Sequence, residues 1–104
     1  MNKYNAKRTV VDGISFHSKA EAARYSDLKL LERAGVIFKL ELQPAFPCVV
    51  NKKKICVYKA DFKYHLKNGK WVVEDVKGYR TQIYRIKKKL VEALYGIEIT
   101  EIQV

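Results

Sequence analysis

Residues 58–78 read YKADFKYHLKNGKWVVEDVKG, two β-type runs on either side of Asn68-Gly69, and the register between them decides what the rest of the chain can build. In the first run Tyr58, Ala60, Phe62, Tyr64 and Leu66 alternate with Lys59, Asp61, Lys63 and His65, the period of a strand with one apolar face. In the second, Trp71, Val73, Asp75 and Lys77 share a face, and Val72, Glu74 and Val76 take the other. A two-residue type I′ turn at Asn68-Gly69 sets Asp61 opposite Val76 and sends the two aspartates to opposite sides of the sheet. A three-residue loop, Lys67-Asn68-Gly69 with Gly69 left-handed, sets Leu66 opposite Lys70, Asp61 opposite Asp75 and Lys59 opposite Lys77. Directly opposed residues stand ~5 Å apart, near enough for two carboxylates to hold one divalent cation. Both turns are common. We adopt the three-residue loop because facing aspartates are costly unless a cation lies between them, which ties the register to the chemistry.

The chain has 104 residues, 48% of them hydrophobic, enough for one folded domain over residues 1–104 and too few for two cores. Its apolar runs are too short to span a bilayer, and its polar N-terminus does not resemble a secretory signal, so the expected setting is cytoplasmic. Cys48 and Cys56 lack metal-ligand spacing and read as reduced thiols, opposed to one another if a hairpin turns near residues 51–54. The net charge of +10 favours a polyanionic partner, most simply nucleic acid. Charge alone does not separate a nuclease from a plain DNA binder or a ribosomal-type protein.

Residues 1–8 form a basic arm able to track phosphates, and residues 9–16 a small hairpin turning at Asp12-Gly13. A helix is expected from Ser18 to about Ala34, ending at Gly35. Ser18 and Glu21 form a capping box, in which Glu21 reaches back to the Ser18 amide. Glu21 also shares the core-facing stripe of Tyr25 and Leu28, so it can serve as cap and as ligand. Residues 36–50 read as one or two strands, bent near Gln43-Pro44 and Pro47 because proline cannot donate to a central ladder. A second helix is expected from about Thr81 to Tyr95, with Ile83, Ile86, Leu90 and Leu94 buried, Tyr84 and Val91 flanking them, and Arg85, Lys88 and Lys89 outward. Lys87 falls beside its apolar face. Residues 97–104 close the chain as a strand, parallel to 71–77 after a crossover.

Hydrolysis of a phosphodiester needs an activated water and a place for developing charge, which one or two Mg²⁺ ions provide. Mg²⁺ takes hard oxygen ligands and keeps several waters. Asp61 and Asp75 are the candidate ligands, with Glu21 reaching in directly or through water. Lys77 stays on the Asp75 face to orient the water or neutralise the phosphate, and the second helix's N-terminus points to the same region. Lys52, Lys53, Lys54, Lys59, Lys63, Arg80, Lys87 and Lys88 are candidate phosphate contacts. His17 and His65 are isolated, and no zinc-type cluster, Walker loop or G-x-G-x-x-G is present.

Glu21 on a first helix, Asp61, then Asp75-Val76-Lys77 resembles the PD-(D/E)XK nuclease superfamily. SKAEAARY, LQPAF, ADF and VEDVKG are similar to segments of a small phage-borne family of unknown function related to Holliday-junction resolvases. The resemblance spans Ser18 to the C-terminus, with Ala60 standing where the superfamily's name has proline. It implies an α/β (α+β) restriction-endonuclease-like core: a mixed central sheet flanked by two helices, in the order α-β-β-β-α-β after an N-terminal hairpin. It further implies Mg²⁺-dependent DNA cleavage (Mn²⁺ able to substitute), a branched DNA substrate, a homodimer cutting both strands and, for a phage protein, the cytoplasm of a bacterial host. Because Glu74 adjoins Asp75, a one-residue slip exchanges the acid that faces the site. The alternatives are a DNA-binding module with a degenerate nuclease fold and a basic RNA-binding protein.

Overall fold

The computed structural model describes residues 8–103; of the basic arm, only Arg8 falls within them. The elements are β1 (Thr9–Val11), β2 (Ile14–Phe16), α1 (Lys19–Arg33), β3 (Ile37–Leu42), β4 (Ala45–Val50), β5 (Lys53–Lys59), β6 (Phe62–Leu66), β7 (Trp71–Lys77), α2 (Gln82–Tyr95) and β8 (Ile99–Gln103). The chain is a mixed α+β fold whose central sheet has the order β3-β6-β7-β8. β3, β6 and β7 pair antiparallel, and β8 lies parallel to β7.

Alternation along the strands sorts the two faces. Phe62 and Tyr64 pack with Ala22, Tyr25 and Leu28 of α1, while Val73 and Ile99 pack with Tyr84 and Val91 of α2 and with Phe46, Cys48 and Tyr58 of the β4–β5 hairpin. That hairpin is a strand pair beyond the expected core. Tyr58–Leu66 is not one strand: β5 ends at Lys59 and β6 begins at Phe62, with Ala60 and Asp61 between. The break follows the Gln43-Pro44 bend, because Gln43 N donates to Asp61 O (2.9 Å) and Ala60 N to Pro44 O (3.1 Å). Pro44, which has no N–H, thus sits where only its carbonyl is required. Pro47 lies within β4, in the separate β4–β5 pair.

The turns follow their local chemistry. Asp12 and Gly13, both at positive φ, join Val11 to Ile14, and Asn51 and Lys52, also at positive φ, join Val50 to Lys53. The second turn brings Cys48 directly opposite Cys56, and both are free thiols.

Helix α1 runs as expected, with Ser18 Oγ accepting from Glu21 N at 3.1 Å. Helix α2 lies close to the expected limits, capped by Thr81 and by Gly96 at φ 66°, but it is rotated about its axis. Tyr84 and Val91 are buried, whereas Ile83 and Ile86 are 68% and 66% exposed and Leu94 is exposed as well. The reason is polar. Tyr84 Oη donates to Glu101 Oε2 at 2.8 Å, and Lys88 Nζ lies 3.7 Å from the same carboxylate on β8. The line facing the sheet therefore carries polar ends that a hydropathy count scores against burial. Lys88 turns inward, contrary to the sequence expectation.

This rotation predicts that Ile83→Ser changes the unfolding free energy by less than about 0.5 kcal/mol. Val91→Ala, by contrast, costs roughly 1.5–3 kcal/mol in urea melts.

Candidate functional site

Asn68-Gly69 does not make a two-residue turn. Gly69 stands at φ 86°, its N donates to Leu66 O and Leu66 N donates to Lys70 O, both at 2.9 Å. The loop is Lys67-Asn68-Gly69, and pairing runs from His65↔Trp71 to Phe62↔Glu74. Continued by one residue, this register sets Asp61 opposite Asp75. Instead the ladder bulges. Asp61 N donates at 3.0 Å to the carbonyl of Glu74, the residue already paired with Phe62. The Asp61 carboxylate accepts from Val76 N at 2.7 Å, so one of its oxygens is engaged by backbone beyond Asp75.

Glu74 and Asp75 are each 1% exposed, and alternation sends them to opposite faces. Glu74 points to the α1 side, where Arg24 donates to it twice, Nε at 2.8 Å and Nη2 at 2.7 Å, and the Tyr64 hydroxyl donates as well. Asp75 points to the α2 side, and neither of its oxygens has a hydrogen-bond partner. Lys77 Nζ lies 3.8 Å from Asp75 Oδ1, an ion-pair distance too long for a hydrogen bond. The same ammonium sits 4.7 Å from the centroid of the Tyr84 ring, in the first turn of α2, so that helix does begin beside Lys77. Burial pushes Asp75 up to about 6; Lys77 opposes the shift, and Glu21 and Glu101 add to it.

Glu21 is buried at the start of α1. Burial, then Asp61, raises its pKa, and His17 opposes the rise. The capping box is half made, since the Glu21 carboxylate takes the His17 backbone amide rather than that of Ser18 and lies 3.7 Å from His17 Nδ1. Burial likewise raises Asp61, against the Val76 amide and Lys77. Asp61 and Lys77 open on a cleft of about 610 Å³ shared with Arg8, His17, Gln43 and Lys59. Lys77 thus touches both the cleft and the buried Asp75. Among the described residues, no three His, Cys, Asp or Glu side chains are grouped to hold a metal ion. Glu21, Asp61 and Asp75 therefore do not make a ready three-carboxylate cage, because each is held by a different element.

The basic residues divide. Lys59 reaches the cleft, and Lys52, Lys53 and Lys54 are exposed at the β4–β5 turn. Lys63 lies over the Trp71 ring, and Lys87 lines an apolar groove with Ile83 and Ile86. Arg80 Nε donates to Glu101 Oε1 at 2.9 Å. With Lys88 on the same carboxylate, these two cations are engaged within the protein rather than presented to a phosphate. The sequence reading missed Arg24, Tyr64, Tyr84 and Glu101. Only Arg24 left a trace: it lies three positions after Glu21 on α1 and so shares its side of the helix.

A family model matches nearly the whole chain. The chain belongs to the DUF1064 family. The match covers residues 1–102, and the family is described as a protein of unknown function. No curated protein and no solved structure matches the chain significantly. No helix among the described residues is long and apolar enough to cross a membrane.

A buried carboxylate with a raised pKa opposes folding once it ionises. The Asp75 contribution is nil where both states are protonated, below the ordinary value of 3.8, and is a full penalty above about 6. Stability should therefore fall as pH rises across that window. In EDTA at neutral pH, Asp75→Asn should be more stable than the parent by on the order of 2–3 kcal/mol. At pH 4 the two should melt nearly together, as read by urea denaturation at both pH values.

Proposed function

We propose that this chain is a Mg²⁺-dependent endodeoxyribonuclease, built on a restriction-endonuclease-like core and acting on branched DNA. The observation that carries the reading is Asp75, a fully buried carboxylate with neither oxygen hydrogen-bonded, at ion-pair distance from a lysine that lines a basic cleft. Burying an ionised carboxylate without a hydrogen bond costs several kcal/mol. It is understandable where a cation completes it. The donor set suits Mg²⁺, which is commonly bound through one or two carboxylates together with substrate phosphates and water, and does not suit a closed all-protein cage. Asp75 and the free oxygen of Asp61 would hold it, with Glu21 acting through water. When bound, Mg²⁺ supplies Lewis-acid stabilisation of the phosphate and lowers the pKa of water.

The protein's own part follows from its charges. Arg8 and Lys59 draw the DNA backbone into the cleft. Lys77 holds a positive charge where the phosphorane gains negative charge, and Tyr84 and Asp75 fix that ammonium from two sides. Arg24 and Tyr64 keep Glu74 on the other face, so the strand presents Asp75 and no competing acid.

A second reading, a DNA-binding module that no longer cuts, is favoured by the engagement of Asp61 with the Val76 amide. The test is incubation with linear, nicked and four-way junction DNA. The nuclease reading expects cleavage with Mg²⁺ or Mn²⁺ and none in EDTA, and a loss of about 100-fold or more for Asp75→Ala or Lys77→Ala. Equal cleavage by Asp75→Ala, or tight metal-independent binding with no product, supports the second reading and defeats the first. Paired cuts across a junction need two sites, so sedimentation with junction DNA should show two chains per junction; a single chain leaves nicking alone.

A further inference from the structure

At the end of β7 away from Lys77, the face that carries Asp75 also carries an aromatic surface unused by the site above. Phe38 stacks on His65 with ring centroids 5.3 Å apart, and His65 meets Trp71 edge-on at 4.9 Å. Lys63 Nζ lies 4.8 Å from the Trp71 ring centroid. These neighbours, on β3 and β6, back one flank of the indole. The other flank lines a groove of about 330 Å³ whose floor and walls include Val73, Ile97, Glu98, Thr100 and Lys70. Trp71 is 49% exposed. Cross-strand pairing with His65 accounts for the backed flank and leaves the open one without a partner.

We infer that Trp71 stacks an unpaired nucleobase of single-stranded DNA, received in this groove. The inference rests on the DNA reading above and adds a means of telling an unpaired strand from a duplex. Bases within a duplex already stack on one another and offer no free face, whereas an unpaired base gains the whole contact with an aromatic platform. The charges set its orientation. Lys63 and Lys70 favour phosphates at the rim, and Glu98 repels a phosphate while accepting from a base N–H. The base therefore lies inward and the backbone outward. Six residue steps of β7 place Trp71 ~20 Å along the strand from Lys77. The nucleotide held here is thus a different one from that at the cleft, as in a branched or frayed substrate.

Trp71 is the sole tryptophan, so its emission reads the contact directly. In EDTA, titration with oligothymidylate should quench it saturably, and an abasic strand of equal length should bind more weakly and leave the emission unchanged. With a labelled oligothymidylate, Trp71→Ala should lower affinity about 10-fold or more, while Trp71→Phe should stay within about 3-fold of the parent. Duplex affinity should be the same for all three. Equal quenching by the abasic strand would overturn the inference. So would loss of duplex and single-strand binding alike in Trp71→Ala, or a preference for oligouridylate. Quenching without cleavage removes the nuclease reading alone, and duplex cleavage without quenching removes this inference alone.

Discussion

The arrangement turns on two neighbouring acids that share burial and differ in everything else. Glu74 and Asp75 are both sealed from water in β7. The strand's two-residue period sends one to α1, where an arginine and a tyrosine satisfy it, and the other to α2, where no hydrogen bond is offered. Desolvating a carboxylate without donors is among the more expensive acts in a fold. One such group beside one that is fully satisfied is a difference in use: Glu74 ties helix to sheet, and Asp75 is held ready for something outside the chain. The glycine-terminated loop before β7 is what keeps them apart in this sense, because a shift of one residue would exchange the two faces.

The charge on the molecule is organised around the same division. A net charge of +10 spread evenly would oppose folding without directing any partner. Here Glu101 pairs with both Arg80 and Lys88 at the α2–β8 contact, offsetting one of the two charges, and Glu74 neutralises Arg24 within the fold. Lysines left to solvent include Lys59 at the cleft and Lys52, Lys53 and Lys54 at the β4–β5 turn, with others on α1, β3 and α2. Ion pairs near the core thus reduce the number of cations that make up the surface field.

Much of this was legible in the sequence, for physical reasons that differ by element. Helix α1 showed its start in Ser18 and its stop in Gly35, since caps are local chemistry. The Tyr64–Trp71 hairpin showed both strands by alternation but not its register, because Asn68-Gly69 suits two loops and only long-range pairing selects one. The orientation of α2 was not legible. Ile83 and Ile86 outweigh Tyr84 and Lys88 in any hydropathy count, and the deciding partner, Glu101, lies on a strand that follows the helix. The engagement of Asp61 was hidden likewise, since it depends on Pro44 and Gln43 taking the backbone groups of Ala60 and Asp61. The acids and Lys77 were visible as a set; that their carboxylates are held by separate elements was not.

That separation is itself a constraint on chemistry. A cage closed in advance around a small cation needs three carboxylates converging without a counter-charge, and each added acid raises the pKa of the others. Asp61 already raises Glu21 in this way. By anchoring Asp61 on Val76, Glu21 on His17 and Lys77 against Tyr84, the fold keeps the repulsion bounded when no cation is bound. The cost falls mainly on Asp75. A site of this kind is completed by what arrives, cation and phosphate together, and its affinity for either alone should be weak because each supplies ligands or charge that the other requires.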